Sequence, residues 1–359
     1  MSFLSEYSYI FYFTFLISVI FLILLNLVKN KFIFLQEAPS KSRRKIHSTN
    51  VSRLGGISFI SIATIFLFDT NTSYILDIII FFSLIVFVIG LIEDITGKIY
   101  YQIRLSFLII VIFAFVFYFD FIQINLNIDF INVLNLKFFY ILTFSSLGLL
   151  FSINGFNFID GLNGLTIGTA LIIFSNFLYY SIYSDELTFI LSLLCIMTVL
   201  PLFIINFLSG KIYTGDGGSY FLGFMAGCIG ILAFNNGTIY MFQVACILFY
   251  PTTELIFTVF RRLVSKKSPF KPDHLHLHII LYEIISLKLK KNSINISKSK
   301  TNSLTGLLII ITLALLYILL SFFEYSDYYL IIYICLNILY LYIYYKLKNI
   351  LNQISIMSV

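Results

Sequence analysis

Charged residues are scarce in this sequence of 359 amino acids. Asp, Glu, Lys and Arg together make up 11% of it and apolar residues 60%, whereas a soluble globular domain carries roughly a quarter charged residues. An ordinary soluble protein is therefore excluded. Many of the apolar runs approach the roughly 20 residues with which an α-helix crosses a bilayer, and they lack the alternating pattern of barrel strands. The sequence predicts an all-α, polytopic membrane protein.

Cysteine is also rare. The four cysteines, Cys195, Cys228, Cys246 and Cys335, each stand alone in an apolar run, and no CxxC pair occurs. We interpret them as small core or lipid-facing residues, and the sequence indicates neither a disulfide framework nor a cysteine metal site. A small-residue cleavage site is missing from the first apolar run, so we expect that run to be a retained span and not a removed signal.

We predict eleven membrane spans, at about 8–28, 55–70, 74–92, 105–119, 138–153, 165–182, 186–206, 219–235, 238–260, 303–323 and 327–345. Residues 1–359 then form one integral membrane domain, with cytoplasmic loops at about 29–54, 93–104, 154–164, 207–218 and 261–302. All but Lys137 of the 23 basic residues lie in these loops or in the C-terminal tail. Because cytoplasmic loops carry the excess of Lys and Arg, we expect the N-terminus outside and the C-terminus in the cytoplasm.

Residues 154–165 have a composition that lipid-facing helices do not require. Within twelve residues they hold three Asn, one Asp and three Gly. Glycine allows a tight turn or a close approach to a ligand, and Asn and Asp offer oxygens to a hard cation. The same residue types are also the usual turn residues. This stretch alone leaves a polar turn and a binding site equally open.

Similar polar clusters recur, and all of them fall on the predicted cytoplasmic side. They are residues 45–47, 53–56, 93–94, 215–219 and 274–278, and they include all four histidines. Polar residues with only structural roles would be scattered over both sides of the membrane. The coincidence therefore predicts a single site that faces the cytoplasm.

Two adjacent acids, Glu93 and Asp94, end the third predicted span. The C-terminal end of a helix already carries partial negative charge, so this placement requires a cation or a function. The functional interpretation is a Mg²⁺ ligand or a carboxylate that acts on a phosphate nucleophile. The alternative is a solvated loop in which the acids pair with Lys98 or Arg104.

Thr214-Gly-Asp216-Gly-Gly-Ser219 opens the eighth predicted span. Its glycines leave successive backbone N–H groups near a helix N-terminus, which is an anion-binding arrangement. Asp216 beside them suits a metal that bridges phosphate oxygens. The alternative is a helix cap in which Asp216 or Ser219 is the N-cap residue.

Three histidines at a spacing of two, His274, His276 and His278, follow the ninth predicted span. A zinc site is one interpretation, but no fourth Cys or His is near in sequence. Phosphate or substrate binding fits the surrounding lysines better, although the positive-inside rule and anionic lipids also account for those lysines.

Glu254 lies within the ninth span, where an ionisable residue is a functional candidate. A pair with Arg261 or Arg262, or a hydrogen bond to another helix, explains its position equally well.

Together these clusters resemble the motifs of the polyprenyl-phosphate N-acetylhexosamine-1-phosphate transferases. That family includes the phospho-MurNAc-pentapeptide translocase and the undecaprenyl-phosphate GlcNAc-1-phosphate transferase. The resemblance covers about residues 40 to 280 and keeps the order of the family's motifs. These resemble, in turn, Lys45-x-His47…Arg53-x-Gly55-Gly56, Glu93-Asp94, Asn154-x-x-Asn157-x-x-Asp160-Gly161, Gly215-Asp216-x-Gly218-Ser219, and Ser268-Pro-Phe…Pro272-Asp273…His276-x-His278.

The resemblance implies that a polyprenyl phosphate attacks the β-phosphate of a UDP-sugar, releasing UMP and leaving a lipid diphosphate sugar. Mg²⁺, with Mn²⁺ as the alternative, would neutralise the diphosphate. It also implies roles for individual residues. Asp216 would bind the metal, and Asp94 would act on the lipid phosphate as base or orienting group. Asn157 and Asp160 would bind metal or nucleotide, and Glu93 and Asp160 are further catalytic candidates. The residues that would hold phosphates or nucleotide are Lys45, Asn154, Gly215, Ser219, His276 and His278.

Four departures from the family pattern stand out. Glu93 replaces the first acid of an Asp-Asp pair, Asn163 replaces a second Asp, Ile279 replaces the closing histidine, and the usual proline before Arg53 is missing. The histidine loop resembles the GlcNAc branch more than the peptidoglycan branch. By this resemblance we expect an N-acetylhexosamine donor without peptide, and a product that enters a surface glycan.

Two alternatives are kept. One is the phospho-MurNAc-pentapeptide transferase of the same family. The other is a secondary transporter, which tends to place polar groups near the bilayer midplane in two repeated halves; here the acids lie at span ends and no repeat is evident. The expected partners are a UDP-sugar, a polyprenyl phosphate and the inner (plasma) membrane, without nucleic acid. Whether the chain forms a homodimer is left open.

Overall fold

In the computed structural model of the chain, residues 2–28, 36–37, 50–68, 74–97, 99–119, 137–269, 273–323 and 326–357 are described. Most of them are helical. The helices are α1 Ser2–Val28, α2 Ile65–Phe68, α3 Tyr74–Thr96, α4 Tyr101–Tyr118, α5 Lys137–Phe158, α6 Leu165–Ser181, α7 Glu186–Ser209, α8 Gly215–Asn235, α9 Met241–Ile247, α10 Phe249–Val264, α11 Leu277–Lys291, α12 Lys298–Leu320 and α13 Ser326–Met357. A 3₁₀ helix, Gly55–Thr64, leads into α2. Two short strands, β1 Gln36–Glu37 and β2 Val51–Ser52, pair antiparallel with Gln36 opposite Ser52.

Seven helices of the described part are long and apolar enough to cross a membrane. They are α1, α3, α4, α7, α8, α12 and α13, and α9 with α10 makes an eighth when the pair is counted as one bent span. Large apolar side chains such as Leu24, Phe117 and Leu315 are exposed on these helices, as a lipid-facing surface requires. The prediction of an all-α, polytopic membrane protein is confirmed.

The central helix is α8. Nearly all of its side chains are buried, including Tyr220, Phe221 and Phe224, and it packs against α3, α5 and the 3₁₀ helix. A Cβ added at Gly223 would lie 2.5 Å from the Cα of Ile153 on α5. Only glycine allows the two helix backbones to approach this closely.

The predicted span at 238–260 is bent. Helices α9 and α10 meet at 81° around Leu248, where the sequence analysis placed one continuous helix. Pro251 lies in the first turn of α10. Proline lacks an N–H donor and its ring clashes with the carbonyl four residues earlier, so this position favours a bend between α9 and α10. The bend sets the direction of α10, which carries Glu254.

Helices also continue through segments that were predicted to be loops. Glu93 and Asp94 lie within α3, Asn157 lies within α5, and the predicted loop 261–302 contains α11. Helix ends follow backbone geometry more than polarity. Thus α3 ends just before Gly97, which has a φ of 57°, the left-handed conformation that glycine adopts at helix C-termini. The polar side chains are tolerated at the helix ends because they face other protein groups, as described below.

Candidate active site

The carboxylate of Asp94 lies against the N-terminus of α8. Its Oδ1 and Oδ2 accept hydrogen bonds from the backbone N–H groups of Asp216 and Gly217, each at 2.9 Å. A helix N-terminus carries unpaired N–H groups and partial positive charge. It therefore stabilises a carboxylate that the C-terminal end of α3 alone would disfavour.

This contact changes the interpretation of the glycine-rich segment. Its N–H groups were predicted to bind an anion, and in the structure two of them bind the side chain of Asp94. The alternative in which Asp216 or Ser219 caps α8 is wrong, because the N-cap residue is Thr214 and it makes no side-chain capping bond. Ser219 instead donates to the carbonyl of Asp216 at 3.1 Å.

Gly215 allows Asp94 and the backbone of Arg53 to approach the N-terminus of α8 closely. It has a φ of 74°, and a Cβ added there would lie 2.1 Å from the carbonyl oxygen of Arg53 and 2.6 Å from Oδ2 of Asp94. Any larger residue would push α3 away from α8. Gly215, predicted to bind substrate, thus has a backbone role in the structure.

The second half of the basic-loop motif lies beside the same segment. The N–H groups of Gly55 and Gly56 donate to the carbonyls of Tyr213 and Thr214, at 2.8 and 3.0 Å. This extended contact brings residues 53–56 to the N-terminus of α8, as the prediction of a single site requires. The other predicted residues of this motif, Lys45 and His47, lie outside the described residues.

The carboxylate of Asp216 on α8 accepts hydrogen bonds from side chains of two other helices. Its Oδ2 accepts a hydrogen bond from Nη1 of Arg104 on α4, and its Oδ1 accepts from Nδ2 of Asn157 on α5 at 3.0 Å. The same amide nitrogen also donates to the hydroxyl of Ser219 at 3.2 Å. Asp216 remains partly accessible, with 24% of its side chain exposed. Asp216, Asn157 and Ser219, predicted from separate motifs, are therefore brought together.

Arg104 belongs to this group of side chains, although no motif in the sequence marked it as a site residue. It was considered only as a partner of the acid pair at 93–94, whereas the structure pairs it with Asp216. Its guanidinium lies 5.5 Å from the ring centre of Tyr101 and 5.4 Å from that of Tyr220. The one signal in the sequence is a single arginine at the predicted cytoplasmic end of an apolar run.

The side chains of Glu93 and Asn154 form hydrogen bonds with nearby backbone groups. Oε2 of Glu93 accepts from the N–H of Ile99 at 3.1 Å, which ties down the turn after α3. Nδ2 of Asn154 donates to the carbonyl of Leu150 at 2.8 Å within its own helix. The structure thus brings Asp94 into contact with α8 and gives Glu93 and Asn154 structural contacts.

Beyond α5 the chain turns through Asp160 and Asn163. Oδ1 of Asp160 accepts from the hydroxyl of Thr166 at 3.0 Å. Asn163 is 1% exposed and connects α12 to the segment before α8. Its N–H donates to Oδ1 of Asn302 at 2.7 Å, its amide nitrogen donates to the hydroxyl of Ser303 at 3.0 Å, and its Oδ1 accepts from Tyr213. The departure from aspartate at this position therefore supplies a donor that an aspartate lacks.

His276 and His278 form a second group beside the end of α5. Their rings stack with centroids 5.6 Å apart, and the ring of Phe158 meets that of His276 edge-on at 5.5 Å. Gly161 packs on His278, since a Cβ there would lie 2.7 Å from Nε2. Burial, followed by the neighbouring His276, lowers the pKa of His278 to about 3, so this imidazole is neutral at physiological pH.

Glu254 is fully buried and bonds to other segments of the protein. Its Oε1 lies 3.0 Å from Nδ1 of His276, and its Oε2 accepts from the hydroxyl of Tyr340 at 2.6 Å. Arg261 and Arg262 instead pair with Asp273. Of the alternatives left open for Glu254, the bond to other segments is confirmed and the pair with an arginine is wrong.

The donor set at Asp216 is compatible with Mg²⁺. In the described part of the chain, no group of three or more His, Cys, Asp or Glu side chains is arranged to hold a metal ion. A Mg²⁺ site needs fewer, because this ion is usually bound by one or two carboxylates together with substrate phosphates and water. Asp216 and the adjacent amide of Asn157 offer hard oxygen ligands of this kind.

Known proteins share these segments. The sequence profile described as Glycosyl transferase family 4 matches residues 76–234. A Thermotoga maritima protein named undecaprenyl-phosphate alpha-N-acetylglucosaminyl 1-phosphate transferase is 27% identical over 306 residues, which cover 85% of this chain and 88% of that protein. A probable undecaprenyl-phosphate N-acetylglucosaminyl 1-phosphate transferase of Bacillus subtilis is 26% identical over 72% of this chain and 73% of its own length. A Yersinia pestis protein with the same name as that of Thermotoga is 32% identical over 36% of this chain and 38% of its own.

The matched segment contains Asp94, Arg104, Asn157 and Asp216, the side chains that converge at the N-terminus of α8. The similarity to the Thermotoga protein extends over most of both chains. The chain is therefore similar to members of glycosyl transferase family 4, through residues 76–234 and through relatives that align with most of its length.

Proposed function

We propose that this protein transfers N-acetylglucosamine 1-phosphate from a UDP-sugar to a polyprenyl phosphate such as undecaprenyl phosphate, releasing UMP. The observation that carries the proposal is the convergence of Asp94, Arg104 and Asn157, from three helices, on Asp216 and the backbone around it. The names of the relatives support both the sugar phosphate and the lipid acceptor.

In the proposed reaction an oxygen of the lipid phosphate attacks the β-phosphorus of the donor. The bond from this phosphorus to the bridging oxygen breaks, and UMP leaves with that oxygen. Phosphoryl transfer asks a protein mainly for positioning and charge stabilisation. Arg104 and the N-terminus of α8 supply positive charge beside Asp216, and Asn157 orients its carboxylate.

Asp94 acts in this proposal as an orienting group. A phosphate monoester has a second pKa of about 6, so the acceptor is largely ionised at neutral pH and needs no base. Both oxygens of Asp94 already accept backbone N–H groups of α8. Its role is then to fix the backbone that carries Asp216.

Asp216 and Asn157 are the residues that would hold Mg²⁺, or Mn²⁺ in its place. When bound, the ion supplies positive charge that neutralises the diphosphate. His276 and His278, which contact Phe158 and Gly161 near the end of α5, would meet phosphate or nucleotide. Asp160 lies between Phe158 and Gly161 in sequence. Because His278 is buried and neutral, it would serve as a neutral hydrogen-bond partner.

The proposed site faces the cytoplasm, from which a soluble nucleotide sugar can reach it. The supporting observation is the distribution of basic residues, all but one of which fall on one predicted side of the membrane, since cytoplasmic loops carry the excess of Lys and Arg. In this orientation the N-terminus is outside, eleven spans cross the inner (plasma) membrane, and the product is the first lipid-linked sugar of a surface glycan.

The test is an assay of purified protein with undecaprenyl phosphate, MgCl₂ and a panel of UDP-sugars that includes UDP-GlcNAc and UDP-MurNAc-pentapeptide. We expect a lipid-linked product and UMP with UDP-GlcNAc, loss of both with EDTA, and loss of both in Asp216→Asn. Asp77→Asn, at the opposite end of α3, is the matched control and should keep activity. Absence of lipid-linked product with every donor, or full activity of Asp216→Asn, would refute the proposal.

A further inference from the structure

The carboxylate of Glu254 is hydrogen-bonded to Nδ1 of the His276 ring. Oε1 of Glu254 lies 3.0 Å from this nitrogen and also accepts from the backbone N–H of Leu277 at 3.3 Å. The side chain of Glu254 is completely buried. Burying a carboxylate costs free energy unless hydrogen-bond donors satisfy its oxygens. Each of these partners is therefore expected to donate a hydrogen bond to Glu254.

The donor requirement determines where His276 carries its proton. An ionised carboxylate can only accept hydrogen bonds, so Nδ1 of His276 must bear a hydrogen. The second ring nitrogen, Nε2, is then the atom on the opposite edge of the ring. That ring touches Phe158, the neighbour in sequence of Asn157, which bonds Asp216.

The last helix, α13, completes this arrangement. The hydroxyl of Tyr340 donates to Oε2 of Glu254 at 2.6 Å. One turn later, the hydroxyl of Tyr344 donates to the carbonyl of Leu275 at 3.1 Å, directly before His276. Two tyrosines of α13 thus hold both the carboxylate and the backbone that position the imidazole, although α13 lies outside the segment that the family profile matches.

A second set of bonds secures the same loop from α10. Arg261 pairs with Asp273, whose Oδ1 accepts from the backbone N–H groups of His274 and Leu275 at 2.7 and 3.2 Å. Arg261 also lies 5.8 Å from the ring centre of Tyr344. The loop before His276 is therefore fixed by α10 and α13 together, which leaves the imidazole little rotational freedom.

We propose that Glu254 and Tyr340 are positioning residues that fix His276 with its proton on Nδ1, so that Nε2 is the atom that meets the phosphate groups of the substrate. An outer partner that fixes the tautomer of a working histidine is a recurrent device, and its loss typically lowers activity about 10- to 100-fold. The meeting of Nε2 with phosphate rests on the proposed function, whereas the tautomer does not.

The experiment combines ¹⁵N NMR of histidine-labelled protein with steady-state kinetics. The chain has four histidines, and a His276→Gln sample assigns the signals of this residue. We expect Nδ1 of His276 to be protonated in the wild type. We expect Glu254→Gln and Tyr340→Phe to shift the Nδ1 signal and to lower kcat by about 10- to 100-fold, with a small change in the KM for UDP-GlcNAc. Tyr342→Phe makes the same substitution at an exposed site on α13 and should leave both readouts unchanged.

The outcomes separate the two proposals. An Nδ1 without hydrogen in the wild type, or unchanged kcat and ring signals in both variants, would overturn the positioning role. If the wild type transfers no sugar phosphate but His276 shows the expected tautomer, the proposed function fails and the positioning of the ring stands. If Glu254→Gln does not fold, Tyr340→Phe decides, because it removes one hydroxyl and leaves the carboxylate in place.

Discussion

The backbone N–H of Asp216 donates to Oδ1 of Asp94 at 2.9 Å, so two acids 122 positions apart in sequence meet in the first turn of one helix. One acid stabilises the N-terminus of α8, and the other projects from it toward Arg104 and Asn157. Both oxygens of Asp94 are bonded inside the protein, while Asp216 stays partly accessible to a ligand.

This relationship predicts the effect of Asp94→Asn. An asparagine oxygen can accept one of the two N–H groups, but its NH₂ group opposes the other, and a buried donor without a partner costs about 1–3 kcal/mol. We expect a lower unfolding temperature and a strong loss of transfer activity, because the backbone that carries Asp216 moves. Glu93→Gln is the comparison and should have a smaller effect on both, since Glu93 accepts its hydrogen bond from the turn after α3 and makes none to α8 among the described residues. Wild-type stability and activity in Asp94→Asn would contradict the orienting role.

A second prediction concerns Gly161. In Gly161→Ala the new Cβ would lie 2.7 Å from Nε2 of His278, so the ring must move and we expect activity to fall at least tenfold. Gly148→Ala adds the same atom on α5, where nothing lies within 4 Å, and alanine favours a helix interior by up to about 1 kcal/mol. That control should keep activity and unfold at the same or a slightly higher temperature. Equal activities of the two variants would exclude a role for the position of the His278 ring.

Asn163→Asp restores the acid of the family pattern, yet we expect it to destabilise this chain. The substitution removes the donor to Ser303 and places a carboxylate at a position that is 1% exposed. The expected loss in the free energy of unfolding is about 1–3 kcal/mol, measured by thermal denaturation in detergent. Asn295→Asp makes the same change at an exposed position and should be neutral. A stabilised, more active Asn163→Asp would show instead that this position serves the substrate.

His278 gives a pH dependence with a defined sign. Its pKa is about 3 in the folded protein and about 6.5 in an unfolded chain, so between these values the unfolded state binds more protons. Stability should therefore fall as the pH drops below about 6.5, by up to about 1.4 kcal/mol per pH unit for this residue. His278→Gln should reduce this slope, whereas His274→Gln, at an exposed position, should not. Parallel slopes for wild type and His278→Gln would contradict a buried, neutral imidazole.

The polar clusters of the sequence predicted that several distant polar side chains would lie close together. Asn157, Asp216 and Ser219 are joined by hydrogen bonds, as their shared placement on one side of the membrane indicated. Apolar run length was enough for the fold class. It was less useful for boundaries, because α3 and α5 continue past their first polar residues, and α3 ends only just before Gly97 with its positive φ.

Partnerships between distant residues lay beyond sequence reasoning. Tyr340 on α13 carries no motif, and its bond to Glu254 depends on the bend at Leu248 and on the packing of α10 against α13. Arg104 could pair with any nearby acid, and tertiary structure selects Asp216. The hydrogen bonds from the α8 N–H groups to Asp94 could not be predicted either, because the same glycine-rich pattern binds an external anion or an internal carboxylate.

The most direct test of the central claim is a double-label transfer experiment. UDP-GlcNAc labelled with ³²P in the β-phosphate and with ³H in the sugar is incubated with undecaprenyl phosphate, Mg²⁺ and the purified protein, and the lipid fraction is counted. Transfer of the sugar 1-phosphate predicts both labels in the lipid at the ratio of the donor, with unlabelled UMP released. Sugar label in the lipid without ³²P, or neither label, would contradict the account.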